Sequence, residues 1–201
     1  MKERREQLRA ARKQALDTQN LIMLVIGGGL ILLAVAAFLA IPKAQAEVQQ
    51  AGSSGGGAIP VAVNFAAPEV QLTDLDGRPV ALSNYQGQVV LYNAWATWCP
   101  PCKEEMPTLE AYYEAHRQAG FVVIAIEDGE PVAEVAAFVR DHGLTFPVWP
   151  DLKWVATTAF KSNNLPTSFV IDRRGIVRLT WTGAITQATL EQYVTPLISE
   201  Q

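Results

Sequence analysis

The chain has 201 residues, room for one domain of ordinary size, about 100–150 residues, together with additional segments. Hydrophobic residues make up 49% and charged residues 18%, with a formal net charge of −4, which excludes a disordered chain, a collagen-like repeat and a disulfide-dense scaffold. Two cysteines allow one disulfide or a redox pair, but no zinc site built from cysteines alone. The charge is unevenly spread: residues 1–20 hold six Lys/Arg against three Asp/Glu, a net of +3, and residues 47–201 hold nine against seventeen, a net of −8. So acidic a body lacks the positive footprint of a nucleic-acid-binding surface, and no nucleic-acid partner is expected.

Residues 1–20 form a basic head. Leu21 to Ile41 follows without a single charge. As a helix rising about 1.5 Å per residue it reaches roughly 30 Å, the thickness of a bilayer's hydrocarbon core. Lys2, Arg4, Arg5, Arg9, Arg12 and Lys13 precede it, whereas Lys43 alone closely follows. The positive-inside rule therefore predicts a single-pass anchor with residues 1–20 cytoplasmic and the rest outside, periplasmic or on the outer face. Ala44-Gln45-Ala46 offers signal peptidase an A-x-A pattern, so cleavage after Ala46 stays open, although the apolar run is longer than a usual signal core. Residues 42–64, rich in Ala, Gln, Gly and Ser, read as a flexible tether.

Residues 65–201 carry the pattern of a folded α/β domain. Glu69–Leu72 and Pro79–Leu82 flank Asp74-Leu75-Asp76-Gly77, which predicts a β-hairpin. Val89–Trp95 and Phe121–Ile126 are apolar runs of the kind expected of strands buried on both faces. Helices are predicted over Pro100 to about Ala119, closed by Gly120, and over Val132–His142, closed by Gly143. A short strand at 145–149, a short helix at 151–162, a hairpin of Ser168–Ile171 with Ile176–Trp181, and a helix from Thr186 that weakens before Pro196 complete the series. The alternation predicts a mainly parallel central sheet closed by an antiparallel hairpin.

The chemistry lies in Trp98-Cys99-Pro100-Pro101-Cys102, between a buried strand and the start of a helix. Two cysteines at C-x-x-C spacing on a first helical turn bring an attacking and a resolving thiol together. Unpaired backbone N–H groups and the helix dipole lower the pKa of the first. Cys99 is then the exposed nucleophile and Cys102 the more buried resolving thiol. A purely structural disulfide would constrain little chain, and zinc would need two further ligands, for which His116 and His142 are badly placed. Trp95 reads as core, the histidines as solvated charges near helix ends, and the acidic excess as a solvated surface. Trp98 reads as a cover for the nucleophile or a contact for substrate.

The domain resembles the thioredoxin-like fold and, within it, the membrane-tethered TlpA/ResA-type thiol–disulfide oxidoreductases. The resemblance rests on Asp74–Val80, Leu91–Thr97, Cys99–Pro107 and Leu165-Pro166-Thr167, and covers residues 65–201. It implies an α/β fold with a central mixed sheet and an N-terminal β-hairpin, preceded here by one transmembrane helix. It also implies a cis peptide before Pro166, which sets that proline against Cys99 and offers main chain of Leu165 to an extended substrate. The substrate-contacting set is then Trp98, Pro100, Leu165 and Pro166. Where thioredoxins place a buried aspartate the chain has Asn93, and Glu105 matches an acid that this family carries on the active-site helix. Partly buried one turn beyond Cys102, Glu105 would move the proton on or off that thiol.

The family further implies reduction of disulfides in envelope proteins, often in cytochrome c maturation, with electrons from a membrane thiol reductase and no cofactor beyond a redox-active Cys99–Cys102 disulfide. A peroxiredoxin-like peroxidase is one alternative, against which stands Ala96 where such enzymes carry Thr or Ser. A non-catalytic membrane-tethered binding module is the other.

Overall fold

The computed structural model describes residues 57–200. The basic head, the predicted anchor, its A-x-A pattern and most of the tether lie outside the described residues. Among those described, no helix is long and apolar enough to cross a membrane.

Among the described residues, eight strands and five α-helices follow one another: β1 Val61–Ala66, β2 Gln71–Thr73, β3 Pro79–Ala81, β4 Val89–Trp95, α1 Pro100–His116, β5 Phe121–Glu127, α2 Val132–Asp141, β6 Val148–Pro150, α3 Val155–Phe160, β7 Thr167–Ile171, β8 Ile176–Thr182, α4 Gln187–Tyr193 and α5 Thr195–Ser199. β2 and β3 pair as the predicted hairpin. Gly77 takes a left-handed φ of 77° there, and the Asp74 carboxylate accepts the N–H of Asp76 and of Arg78, each at 2.9 Å.

The other six strands form one sheet in the order β1-β8-β7-β4-β5-β6. Pairing is parallel for β4–β5 and β5–β6, and antiparallel for β4–β7, β7–β8 and β8–β1. The sheet is thus mixed, as the resemblance implies, and not mainly parallel as the alternation alone suggests, because β7 runs antiparallel to β4. β1 adds a further antiparallel pairing. The sequence reading ends the tether at Asn64, but Val61–Ala66 is already a strand on β8. Its side chains are largely exposed, so its hydrophobic pattern carries little signal, and its place depends on a partner more than a hundred residues away.

β4 and β5 are buried along their whole lengths, and their alternate residues enter two cores. Val89 and Leu91 of β4, with Phe121, Val123 and Ala125 of β5, pack under α1 (Met106, Leu109, Tyr112), α2 (Val135) and α4 (Leu190). Val90, Tyr92 and Ala94, with Val122, Ile124 and Ile126, pack against α3 (Ala156, Phe160) and Val70 beside the hairpin. A continuous apolar strand is what a sheet covered on both faces requires.

Two further expectations are corrected. His116 is not a solvated charge: it lies against the rings of Tyr112 and Phe121, 3.6 Å from Glu191, because α1 ends under α4. Nor is the acidic excess all surface, since Glu105, Glu127 and Asp151 are buried.

Candidate active site

The site forms where β4 ends. Ala96, Thr97 and Trp98 carry the chain from the strand to the helix, and the Cys99 N–H donates to the Ala96 carbonyl at 3.2 Å. Cys99 is the N-cap of α1, in extended conformation, with Pro100 and Pro101 opening the helix. Proline fits there because its missing N–H would have no helical partner. The Cys99 sulfur accepts the Cys102 N–H at 3.3 Å, so it occupies the place of a capping oxygen at the positive end of a 17-residue helix. The two sulfurs are joined in a disulfide.

The expected order of accessibility holds, but not the expected exposure of Cys99. That residue is 3% exposed and Cys102 0%, because the disulfide folds the first sulfur back over the first helical turn. Trp98 projects beside them, 63% exposed, and Pro100 is exposed as well. Trp95 is core, packed on Phe138.

The antiparallel β4–β7 register pairs Ala94 with Thr167. This brings Leu165 and Pro166, at the start of β7, alongside the end of β4 and the loop that carries Cys99. The Leu165–Pro166 peptide is cis, as the resemblance implies. The Pro166 carbonyl accepts the Gly183 N–H at 2.8 Å. The cis-proline segment is thereby brought to the end of the sheet from which the dithiol loop leaves.

Glu105 lies one turn beyond Cys102 on α1. It is 1% exposed, and so fully rather than partly buried, because α4 and the segment before it close over that face. Its Oε1 accepts Asn93 Nδ2 at 2.7 Å and its Oε2 accepts the Ile185 N–H at 3.1 Å. Burial pushes its pKa up to about 7, the two hydrogen bonds offsetting part of that rise. Asn93 also donates to Ser168 Oγ at 3.0 Å. Ser168 and Ile185 are supports that the sequence pattern did not mark, since Ser168 reads as an ordinary strand residue and Ile185 contributes only backbone.

A second acidic pair was missed. Glu130 accepts the Thr97 N–H at 2.6 Å and the Thr97 hydroxyl, and buried Glu127 accepts the Glu130 N–H. The available signal was a carboxylate closing an otherwise apolar buried run, Phe121 to Glu127. Among the described residues, no group of His, Cys, Asp and Glu is arranged to hold a metal ion.

A thioredoxin-like sheet with a cysteine pair at the tip of the 17-residue helix α1 and a buried carboxyl one turn away defines a class, the thiol–disulfide oxidoreductases. Comparison with known proteins places the chain within it. The AhpC/TSA family matches residues 63–180. Thiol-disulfide oxidoreductase ResA of Geobacillus kaustophilus (strain HTA426) is 39% identical over 134 residues, covering 67% of this chain and 77% of the relative. That of Bacillus anthracis is 37% identical over 128 residues, 64% and 74% respectively. Among solved structures, a thioredoxin-family thiol:disulfide interchange protein from Chlorobium tepidum TLS superposes with a TM-score of 0.63 at 27% identity, over 69% of this chain and 99% of its own. The chain belongs to the AhpC/TSA family, among the relatives of the ResA thiol-disulfide oxidoreductases, and is a thiol-disulfide oxidoreductase.

Proposed function

We propose that this oxidoreductase is tethered to a membrane by Leu21–Ile41 and works outside the cytoplasm as a reductase of protein disulfides. The observation that carries the chemistry is the pairing of a helix-tip dithiol with a buried carboxyl held near neutrality. The Cys99 thiolate attacks one sulfur of a substrate disulfide, a mixed disulfide forms, and the first substrate thiolate leaves. Cys102 then gives its proton to Glu105 and attacks the Cys99 sulfur. The second substrate thiolate leaves and takes up a proton. Two electrons have passed to the substrate, and Cys99–Cys102 is oxidised. A membrane thiol reductase returns the electrons, and no other cofactor is needed.

An extended substrate segment lies across Trp98, Pro100, Leu165 and Pro166. Exposure of Trp98 and the register that brings the start of β7 to the end of β4 support this, with main chain of Leu165 offered as in strand addition. Envelope proteins are the substrate class, and apocytochromes c the particular candidate that the ResA-type resemblance suggests. The anchor rests on the uncharged run and its one-sided basic flank.

The test is substrate trapping in intact cells. Cys102→Ser in the full chain should accumulate mixed disulfides through Cys99, cleaved by reductant, and Cys99→Ser should give none and abolish exchange. Adducts through Cys102 instead, or full activity in Cys99→Ser, would reject the mechanism. Protease added to spheroplasts should digest residues 57–200; protection of that domain would reject the orientation.

A further inference from the structure

Glu127 and Glu130 stand at the same end of the sheet as the dithiol and take no part in the scheme above. Glu127 closes β5 opposite Trp95 in the parallel ladder with β4 and is wholly buried. Asp128 and Gly129, the latter at φ 91°, turn the chain so that the Glu130 N–H donates to both carboxyl oxygens of Glu127, 3.1 Å to each. The Glu130 carboxylate reaches across to the loop after β4 and accepts both donors of Thr97. Thr97 stands two residues before Cys99. The segment between them has little packing of its own, Trp98 being mostly exposed, so these two bonds to a charged acceptor set the direction in which the chain enters α1.

The charged groups nearest Glu127 are acidic. Asp128 and Glu130 face it from its own loop. Just after β6, Asp151 donates its N–H to the Glu127 carbonyl at 2.8 Å, while its carboxylate is taken by N–H groups of α3. On the face covered by α1 and α2, α1 contributes Glu105, held by Asn93 and Ile185, and Glu134, Arg140 and Asp141 of α2 are exposed. Among the described residues, neither Glu127 nor Glu130 forms an ion pair. Two carboxyls this near to each other oppose each other's ionisation. Burial and the Glu130 contact push Glu127 up to about 8, and the Thr97 bonds hold Glu130 below its ordinary value despite burial.

We infer that Glu130, backed by Glu127, is a positioning residue for the attacking sulfur: the pair clamps Thr97 and with it the Thr97–Trp98–Cys99 segment, and the clamp loosens once both carboxyls are ionised and repel each other. This rests on Cys99 being the sulfur that attacks.

The oxidised protein, in which neither cysteine titrates, tests the clamp directly. Its Thr97 amide resonance should move with one inflexion near pH 8, and Glu127→Gln should abolish that inflexion. In the reduced protein, Thr97→Val, which removes a donor and leaves the Glu130 charge in place, should move the midpoint of the Cys99 alkylation profile upward by about one unit, roughly a tenfold loss of thiolate at neutral pH. Thr97→Ser, which keeps both donors, should restore it.

A Thr97 amide that does not titrate, or that titrates unchanged in Glu127→Gln, overturns the inference. So does a midpoint that Thr97→Val does not move. The wild-type titration needs no variant and survives any folding defect. If mass spectrometry of the wild type finds Cys102 alkylated first, the assignment of Cys99 falls, while the Thr97 titration still judges the clamp.

Discussion

Asn93 Nδ2 donates to Glu105 Oε1 across 2.7 Å at the buried junction of β4 and α1. An amide suits that place in both protonation states of its neighbour. It donates to the carboxylate through Nδ2 and, turned over, accepts from the acid through Oδ1, an atom that has no hydrogen-bond partner in the present arrangement. An aspartate there would add a second buried charge. The pair thus lets one carboxyl cross between states near pH 7 without leaving a large orphaned charge.

Glu105 makes stability depend on pH with a definite sign. Its folded pKa, about 7, lies above the ordinary 4.5, so the folded chain keeps a proton that the unfolded chain releases. The stabilisation is full below the unfolded value and is lost as pH rises through the folded one, by roughly 3 kcal/mol at most. Urea unfolding of the oxidised domain across this range should show the fall, and Glu105→Gln should remove it. That variant should match the wild type at low pH, since its amide, like the protonated acid, donates to the turned Asn93 and accepts from Ile185. An unchanged slope in Glu105→Gln would place the titrating group elsewhere.

Asn93 tunes that carboxyl. Its hydrogen bond opposes the rise due to burial, so Asn93→Ala should move the Glu105 titration, followed by side-chain carboxyl NMR, above its wild-type value. Asn93→Asp should move it further, because two carboxyls at this separation cannot both ionise freely. A downward shift in either variant would contradict the arrangement.

How much of this was legible in the sequence follows from the range of each interaction. The Cys99–Cys102 pair, its prolines and the helix they open are local, and C-x-x-C spacing exposes them. β4 and β5 are legible because burial on both faces leaves an unbroken apolar run. Glu105 could be singled out as an acid on the right face of α1, but not its full burial, since the Ile185 N–H that holds it comes from 80 residues further along the chain. The Glu130–Thr97 contact spans 33 positions and leaves no periodic trace. β1 was hidden for the opposite reason. It buries almost nothing, and its strand conformation comes from the ladder with β8.

Asp151 is the structural counterpart of these functional acids. It is buried, and its carboxylate accepts the N–H groups of Val155 at 2.7 Å, Ala156 at 2.8 Å and Thr157 at 3.1 Å, the first turn of α3. Asp151→Ala leaves those donors without their acceptor and should cost about 2–3 kcal/mol in urea unfolding. Asp151→Asn, which keeps one acceptor oxygen, should recover part of it. Equal losses would show that the cap acts through charge alone.

Asp172 gives a pH effect of the other sign. Burial would raise its pKa, but the N–H groups of Ile176 and Arg174 and the guanidinium groups of Arg178 and Arg174 hold it below the ordinary value. Its stabilisation is present above the unfolded value and is lost as pH falls through the folded one. Asp172→Asn should therefore flatten the acid side of the stability profile and weaken the turn between β7 and β8 by about 1–2 kcal/mol at neutral pH. An acid limb that persists unchanged would assign it to other carboxylates.

The last expectation concerns β1. Its side chains are mostly exposed, so removing residues 1–66 forfeits little apolar burial, and the loss comes mainly from the ladder with β8. That predicts a modest fall in stability, about 1–2 kcal/mol, but a larger change in association, because β8 would become an uncovered sheet edge carrying Val177 and Leu179. Sedimentation velocity should show the shortened domain self-associating at concentrations where the domain beginning at residue 57 is monomeric, with the dithiol equally reactive in both. If the shortened domain stays monomeric, the bared edge of β8 does not drive association; if reactivity falls with it, β1 also supports the site from the far end of the sheet.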